Sequence, residues 1–306
     1  MLLTISDSRL PLKQVTLSHC NSFSFSGLFH LLSSYPHLEH LNLKSTRFLN
    51  DHSIVELAQF FTKLIQINLS LCPHLTPFSI LHISKSSPFL KQIKSHHINL
   101  SSRTLISSID PISPNFTPEF LDLSSCDNLN DASLTAVSLS LPNLLRLDVS
   151  ECPNVSGEGI REVLRNCGRM KWLEMSHCER VESVPVEFDV WCLERLVARG
   201  SVVGDEDMKV ISRRFRGLTA LDVEDDLRVT EVGLKEVVGG CKKLREVNLR
   251  RCENVSAEGV LAAILMSPTL RKIVPPPRFV PTRCQKMFIM EHGCLVCPAY
   301  QKFKTV

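Results

Sequence analysis

The chain has 306 residues, of which 43% are hydrophobic, so it can bury a large core. Its formal net charge of +3 comes from 35 basic and 32 acidic side chains without any run of five like charges, which disfavours nucleic acid and anionic lipid as partners and leaves protein as the default. No stretch approaches the roughly 20 apolar residues that cross a bilayer, and no basic segment precedes the short apolar start, so we expect a soluble, cytoplasmic or nuclear protein.

A regular self-similarity runs along the chain. Each copy contains an apolar-x-apolar pair, and we call its first apolar residue the anchor. The anchors are Val15, Leu41, Ile67, Ile93, Leu121, Leu147, Leu173, Leu196, Leu221, Val247 and Ile273. Their successive gaps are 26, 26, 26, 28, 26, 26, 23, 25, 26 and 26 residues. The best copies, at 144–152, 170–178 and 244–252, read LxxLxLxxC, a short strand with one buried face that a turn and a helical pattern follow. The sequence therefore predicts an α/β protein of about 11 strand–helix repeats.

The residue nine places after each anchor tests this register. If a helix starts there, that residue is an N-cap, whose side-chain oxygen accepts a free helical N–H. Nine of the ten residues are Ser, Thr, Asn or Asp, the exception being Glu182. The predicted caps are Ser24, Asn50, Thr76, Ser102, Asn130, Ser156, Asp205, Thr230 and Ser256. Four residues further on, apolar side chains such as Leu28 and Ile54 predict the buried face of each helix.

The repeats divide the chain into three parts. We assign residues 1–10 to an N-terminal edge, 11–274 to the repeat solenoid and 275–306 to a C-terminal cap or tail. Two units of the solenoid are irregular. The 28-residue unit contains Pro111, Pro114 and Pro118, and the 23-residue unit contains Pro185. Because proline disrupts a helix interior, we expect a short helix in the first and no full helix in the second.

The C-terminal part contains one group with metal-like spacing. Cys284, His292, Cys294 and Cys297 could together give zinc Cys₃His coordination. A single CxxC pair is a weak signal, however, and a segment after the last repeat is also suited to covering exposed core. The cap is the interpretation we adopt, with no metal and no cofactor expected.

The remaining cysteines follow the repeat. Six occupy the position five residues after an anchor: Cys20, Cys72, Cys126, Cys152, Cys178 and Cys252. Cysteine is small, apolar and a weak hydrogen-bonding group, which suits a tight corner of a stacked core. Cys167 and Cys241 share a second position at the end of a helix. His177 precedes Cys178, but neighbours on a strand point to opposite faces, so they do not form a base–nucleophile pair. The sequence predicts no enzyme and no catalytic residues.

The positions between the core residues of each strand should project from a concave sheet face. Directly after the anchors stand Asp122, Asp148 and Glu174, which we expect to form an acidic ladder roughly 10 Å long because strands lie about 4.8 Å apart. Clustered like charges bring no structural benefit, so the ladder favours a target with a basic patch. Tryptophan and arginine are enriched in interface hot spots. The predicted protein-binding residues are Asp122, Arg146, Asp148, Trp172, Glu174, Arg195, Arg199, Asp222, Glu224 and Arg250.

Units such as LDVSECPNVSGEGIREVLRNCGRMKWLEMSHC closely resemble the cysteine-containing leucine-rich repeats of plant F-box proteins, and the resemblance covers residues 11–274. It implies a horseshoe solenoid with a parallel sheet on its concave face. It also implies a substrate receptor of an SCF-type ubiquitin ligase, which holds a protein target for degradation. In that family an F-box precedes the repeats and docks on a Skp-type adaptor. Here the first repeat begins by Leu12 and no F-box is visible, so an adaptor is implied only if an F-box lies upstream. The alternative is a repeat-only interaction scaffold unrelated to ubiquitin.

Overall fold

The computed structural model describes residues 10–20, 22–99, 118–201 and 203–297. Within these ranges strands and helices alternate as the repeat pattern predicts. The strands are β1 Gln14–Thr16, β2 His40–Asn42, β3 Gln66–Asn68, β4 Gln92–Lys94, β5 Phe120–Asp122, β6 Arg146–Asp148, β7 Trp172–Glu174, β8 Arg195–Val197, β9 Ala220–Asp222, β10 Glu246–Asn248, β11 Lys272–Val274 and β12 Leu295–Val296. The helices are α1 Phe25–Ser34, α2 Asp51–Ala58, α3 Pro77–Ser86, α4 Asp131–Ser140, α5 Gly157–Asn166, α6 Asp205–Arg214, α7 Glu231–Gly240, α8 Ala257–Met266 and α9 Arg283–Glu291.

The chain forms two compact units. The first comprises residues 1–155 with 165–170, and the second comprises residues 156–164 with 171–306. In the first unit β1 to β6 pair in chain order, and in the second β7 to β12 do so. Every pairing within a unit is parallel, and it sets anchor against anchor, as for Val15 and Leu41. The α/β repeat solenoid predicted from the sequence is confirmed.

The core lies between the strands and the helices. Anchors such as Ile67 and Leu121 are buried, and so are the inward-facing helix residues, for example Leu28 and Ile54. Each three-residue strand alternates in burial, with the middle residue inside and its neighbours half-exposed in most repeats. A repeat cannot bury its apolar face alone, so stacking on the next repeat is what stabilises it.

A tight corner follows each strand. The residue four places after the anchor has a positive φ, as in Leu71 (60°), Glu151 (58°), His177 (55°) and Arg251 (61°). Gly200 (54°) is the one glycine at this position. Residues with side chains occupy the left-handed region in nine other repeats, and only the repeat of β11, which has Pro277 at this position, lacks the positive φ. The nine corners cost backbone energy that the stacked core must offset.

Most of the predicted helix starts are correct. Ser24, Asn50, Thr76, Asn130, Thr230 and Ser256 are N-caps whose side chains accept an N–H of the first turn. Ser156 Oγ likewise accepts the Glu158 N–H (3.2 Å). Ser102 lies outside the described residues.

The predicted cap Asp205 is wrong by one residue. Gly204 is the N-cap of α6, and its N–H donates to Asp207 Oδ2 (3.0 Å) at the third helical position. Asp205 stands inside the first turn, where its carboxylate accepts the N–H (2.9 Å) and the hydroxyl (2.7 Å) of Thr230. Asp205 therefore links its own helix to the cap of the next one.

The two irregular units and the C-terminal part depart from the regular alternation of strand and helix. The prolines of the 28-residue unit, other than Pro118, lie outside the described residues. No helix stands between β7 and β8, as expected for the 23-residue unit, where Val190 forms an isolated bridge with Phe215. After β11, α9 leads to β12, which pairs with β11. Among the described residues no helix is long and apolar enough to cross a membrane.

Candidate functional site

In most of the described strands the residues beside the anchor are half-exposed, on the face of the sheet opposite to the buried anchors. On each strand it consists of the residues just before and just after the anchor, together with the residue three places after it. We call this surface the open face. All ten predicted binding residues lie at open-face positions, three in the first unit and seven in the second.

In the first unit, Asp122 and Asp148 are cross-strand partners of β5 and β6, so their carboxylates are neighbours. The Arg146 guanidinium lies over the Phe120 ring, 4.8 Å from its centroid. Burial raises the pKa of Asp148, and the charge of Asp122 adds to that effect against the opposing hydrogen bonds from Ser150. The third residue of the predicted ladder, Glu174, belongs to the second unit.

The expectation that these acidic residues have no structural role is wrong. Asp148 Oδ1 accepts the Ser150 N–H (2.9 Å), and Asp122 Oδ1 accepts the Ser124 N–H (3.1 Å). Asp or Asn at this position makes the same bond in most described repeats, for the side chain caps the strand just before the left-handed corner. The bonds are those of Asn42, Asn68, Asp122, Asp148, Asp222 and Asn248.

The second unit contains a compact network of paired charges. Arg199 Nε donates to Asp222 Oδ2 (2.9 Å), and Arg199 Nη2 lies 2.7 Å from the same oxygen. Arg250 Nη1 lies 3.3 Å from Glu224 Oε1. Asn248 Nδ2 donates to Asp222 Oδ1 (2.9 Å) and to Glu224 Oε2 (3.2 Å). Asp222 is only 2% exposed, so it is a buried member of the network and not the surface charge that the sequence suggested.

The environment of Arg199 is consistent with a fixed positive charge. Burial alone would lower the pKa of Arg199, but the hydrogen bond and the charge of Asp222 outweigh it and raise the pKa. Glu224 and Glu174 act in the same direction. Asp222 and Glu224 are thus neutralised by Arg199 and Arg250.

Arg195 joins an aromatic and an acidic residue across the face. Its guanidinium lies 5.1 Å from the centre of the Trp172 ring on β7, and its Nη2 is 3.4 Å from Glu246 Oε2 on β10. The intervening strand has Ala220 at this position, and Ala220 is 3% exposed. The small side chain leaves room for Arg195 to lie over β9.

Sequence reasoning missed three residues of this site: Ala220, Glu246 and Asn248. Their strand positions could have been found from the repeat register, since all three stand beside an anchor. Their roles could not, because they depend on the direction that Arg195 and Arg199 take after leaving their strands.

The thiols and histidines do not form a catalytic arrangement among the described residues. Burial raises the pKa of Cys72 to about 11 and that of Cys126, Cys167, Cys241 and Cys252 to about 12, so these thiols are protonated at neutral pH. His177 is exposed, whereas Cys178 is fully buried. In the described ranges no group of three His, Cys, Asp or Glu side chains could hold a metal ion. Cys20 departs from the other five cysteines of its ladder because it is exposed.

Comparisons with known proteins support the fold. No protein-family profile matches the chain, and neither does any curated protein. The leucine-rich-repeat protein LegL7 from Legionella pneumophila is similar in structure, with 15% identity, coverage of 92% of this chain and 89% of that chain, and a TM-score of 0.50. Rad7 in the yeast Rad7–Elc1 complex also matches, with 15% identity, 92% and 85% coverage and a TM-score of 0.44. With the repeat register and the parallel strands, the likeness to LegL7 shows that this chain has the leucine-rich-repeat solenoid fold.

Proposed function

We propose that this chain is a non-catalytic module that binds a protein target on the open face of its sheet. The observation that carries the proposal is Arg195, which lies between the Trp172 ring and Glu246. Tryptophan and arginine account for much of the binding energy in protein interfaces. An arginine already fixed by a ring and a carboxylate loses little conformational entropy when a partner covers it, so the site is organised for binding.

The acidic residues of the open face indicate the charge of the target. Asp122 and Asp148 are half-exposed neighbours, whereas Asp222 is buried beneath Arg199. We propose that a basic patch of the target meets this pair. The twelve free cysteines agree with a reducing compartment, so we place the interaction in the cytoplasm or the nucleus.

We further propose that the target is held for ubiquitination, with this chain acting as the substrate-recognition part of an SCF-type ligase. The support is the resemblance of the cysteine-containing repeats to those of F-box proteins. A Skp-type adaptor would bind only if an F-box lies upstream of the chain. A repeat-only scaffold unrelated to ubiquitin is the second candidate, since the resemblance lies in the repeats alone.

Affinity purification from the native cells tests both the binding of a target on the open face and the association with a ubiquitin ligase. The baits are the chain as it stands, the product of any longer reading frame, and an open-face variant with Arg195→Gln and Arg250→Gln. A matched control, Lys235→Gln with Lys243→Gln, removes two positive charges from α7 and the segment after it, away from the open face. We expect the open-face variant to lose a protein that the control retains.

The partners then separate the two candidates. An adaptor and a cullin that co-purify with the longer form support the ligase, and their absence from both forms supports the scaffold. Identical partner sets for the two double variants, with unchanged far-ultraviolet circular dichroism, would contradict binding on this part of the open face.

A further inference from the structure

The open face of β1 to β4 differs chemically from the rest of the sheet. Its side chains are amides, hydroxyls, imidazoles and lysines, and it has no carboxylate. The positions are Gln14, Thr16, Ser18, His40, Asn42, Lys44, Gln66, Asn68, Ser70, Gln92, Lys94 and His96. The strands β1, β2 and β3 form a groove of about 300 Å³ on this face, and Lys94 of β4 borders it. We call it the amide groove.

Two asparagines of the amide groove are oriented by the backbone. Asn42 Oδ1 accepts the Lys44 N–H (3.1 Å), and Asn68 Oδ1 accepts the Ser70 N–H (3.0 Å). A backbone N–H requires an acceptor, so the oxygen of each amide is committed and the Nδ2 group is left as the free end. Within the described residues neither Nδ2 group donates a hydrogen bond. Both are therefore available to an external acceptor.

The corresponding asparagine in the second unit behaves differently. Asn248 also caps its own corner, but its Nδ2 group donates to Asp222 and Glu224. The same residue type at the same repeat position is thus satisfied internally in β10 and open in β2 and β3. The difference comes from the neighbouring side chains, since only the second unit places carboxylates beside the amide.

Lys94 borders the amide groove, and Lys44, which follows β2, adds a second positive charge on the same face. Both are half-buried, and neither forms an ion pair with any residue in the described ranges. Burial lowers the pKa of the His96 imidazole, the charge of Asp122 opposes this effect, and Lys44 and Lys94 add to it. The groove therefore offers hydrogen-bond donors and positive charge, and the carboxylate that faces Lys94 belongs to the next strand, as Asp122 of β5.

We propose that the amide groove binds a short acidic segment of the protein target, in an extended conformation that runs across β2, β3 and β4. Its carboxylates meet Lys44 and Lys94, and its main-chain carbonyls accept from the Nδ2 groups of Asn42 and Asn68. The inference rests on the proposed function, because it names the chemistry of the partner that the open face holds.

The next strands argue for a short peptide rather than a longer polyanion. Lys94 on β4 is the cross-strand partner of Asp122 on β5, and Asp148 follows on β6. A nucleic acid that extended past β4 would bring phosphates against these two carboxylates, and two lysines would not compensate. A peptide can instead carry acidic residues toward β2 to β4 and basic residues toward β5 and β6.

The chain supplies variants that test the groove without disturbing the fold. Asn42→Asp with Asn68→Asp keeps the Oδ1 that caps each corner and replaces both donors by negative charge. Aspartate already occupies this position at Asp122 and Asp148, so the repeat tolerates it. Lys44→Gln with Lys94→Gln removes the two cations. Lys63→Gln with Lys85→Gln is the matched control, since it removes two exposed lysines of the same unit outside the groove.

The experiment is selection of octapeptides from a displayed random library on the full chain, followed by fluorescence anisotropy of the enriched peptides. We expect Asp- and Glu-rich peptides to be enriched. We expect their dissociation constants to rise at least about tenfold in both groove variants, because charge-assisted hydrogen bonds are lost, and to change less than about twofold in the control. Binding to the wild-type chain should weaken with added salt.

Several outcomes would overturn the proposal. These are enrichment of neutral or basic peptides, no enrichment at all, or equal weakening in the control variant. Tighter binding of a phosphoserine version than of the Asp version would reassign the groove to phosphorylated segments. The cellular purification above has a separate readout through Arg195 and Arg250. If no acidic peptide binds but the partner set depends on Arg195 and Arg250, the groove proposal has failed. If acidic peptides bind as expected but the partner set does not depend on these arginines, the proposed function has failed.

Discussion

Arg199 donates a hydrogen bond from Nε to Asp222 Oδ2 and brings Nη2 within 2.7 Å of the same oxygen, although the two residues are 23 positions apart in the chain. Asp222 is almost completely buried, whereas the Arg199 side chain keeps 35% of its surface exposed. An arginine that covers a buried carboxylate in this way is needed for stability, because the uncompensated charge would otherwise be left in the sheet.

We therefore expect Arg199→Gln to lower the free energy of unfolding by roughly 2 kcal/mol, below the full effect of a buried pair because Arg199 is partly solvated. The double change Arg199→Gln with Asp222→Asn should recover most of the loss, since Asn248 shows that an amide serves at this position. Urea denaturation of the three chains measures both effects. Arg251→Gln, which breaks an exposed ion pair with Asp225, is the control and should cost less than about 0.5 kcal/mol. Equal losses for Arg199→Gln and Arg251→Gln would refute the assigned role.

A second prediction concerns Asp226, which stands where five other repeats have a buried cysteine. Asp226 is 1% exposed, and neither of its carboxyl oxygens has a hydrogen-bond partner among the described residues. The corresponding Cys252 thiol donates to the Val223 carbonyl of the preceding repeat (3.0 Å). The Ala198 carbonyl, which Asp226 would meet by analogy, already accepts from Ser201 Oγ (2.7 Å). We expect Asp226→Cys to stabilise the chain by about 1–3 kcal/mol, because a buried unsatisfied group is removed.

The pH dependence of stability provides the second readout for Asp226. Burial, reinforced by Asp225, Asp222 and Asp207 against Arg228, raises its pKa from 3.8 to about 9. The folded chain keeps the proton to higher pH than the unfolded chain does, so this group's contribution to stability falls as pH rises between those two values. Urea midpoints measured at about pH 6 and about pH 8.5 should therefore fall more in the wild type than in Asp226→Cys. The same decrease in both chains would show that Asp226 does not titrate in this range.

A third prediction follows from the exposure of the cysteines. Cys20, Cys192 and Cys284 are exposed, Cys297 is intermediate, and the other eight are buried. With Ellman's reagent we expect three fast thiols, a slower fourth, and eight that react at least about tenfold more slowly until the chain unfolds, since only an accessible thiolate reacts. Burial raises the pKa of Cys294 to about 11, which places it in the slow group. Protection of Cys284 and Cys297 that a chelator removes would instead support a zinc site.

A fourth prediction compares two adjacent glycines near the end of α7. A Cβ atom on Gly240 would lie 2.6 Å from both the Cβ and the carbonyl oxygen of Ser212, whereas a Cβ on Gly239 meets only Met266 Cε at 3.8 Å. Gly240→Ala should destabilise the chain by about 1–3 kcal/mol through overpacking. Gly239→Ala should stabilise it by up to about 1 kcal/mol, because alanine is the better helix residue. Thermal unfolding of the two variants should give melting temperatures that move in opposite directions, and a shift in the same direction would contradict the close approach of α6 and α7.

The repeat spacing by itself determined the fold class, the strands and most of the helix starts. Anchors 26 residues apart bring equivalent residues into register, and caps such as Asn50 and Thr76 are local signals that act within four residues of their own position. The same spacing showed which side chains share the open face. Buried cysteines such as Cys126 were predictable for the same reason, since each repeats a position in the core.

Only the tertiary structure decided how the open-face side chains pair. The sequence assigned Asp122 and Asp222 alike to the protein-binding surface, but the first is half-exposed and the second is buried beneath Arg199. Whether an asparagine amide is free, as in Asn68, or engaged, as in Asn248, depends on side chains one or two strands away. Periodicity determines the positions of Cα atoms along a stacked repeat. The directions of long side chains follow from packing and charge between repeats, which no single repeat encodes.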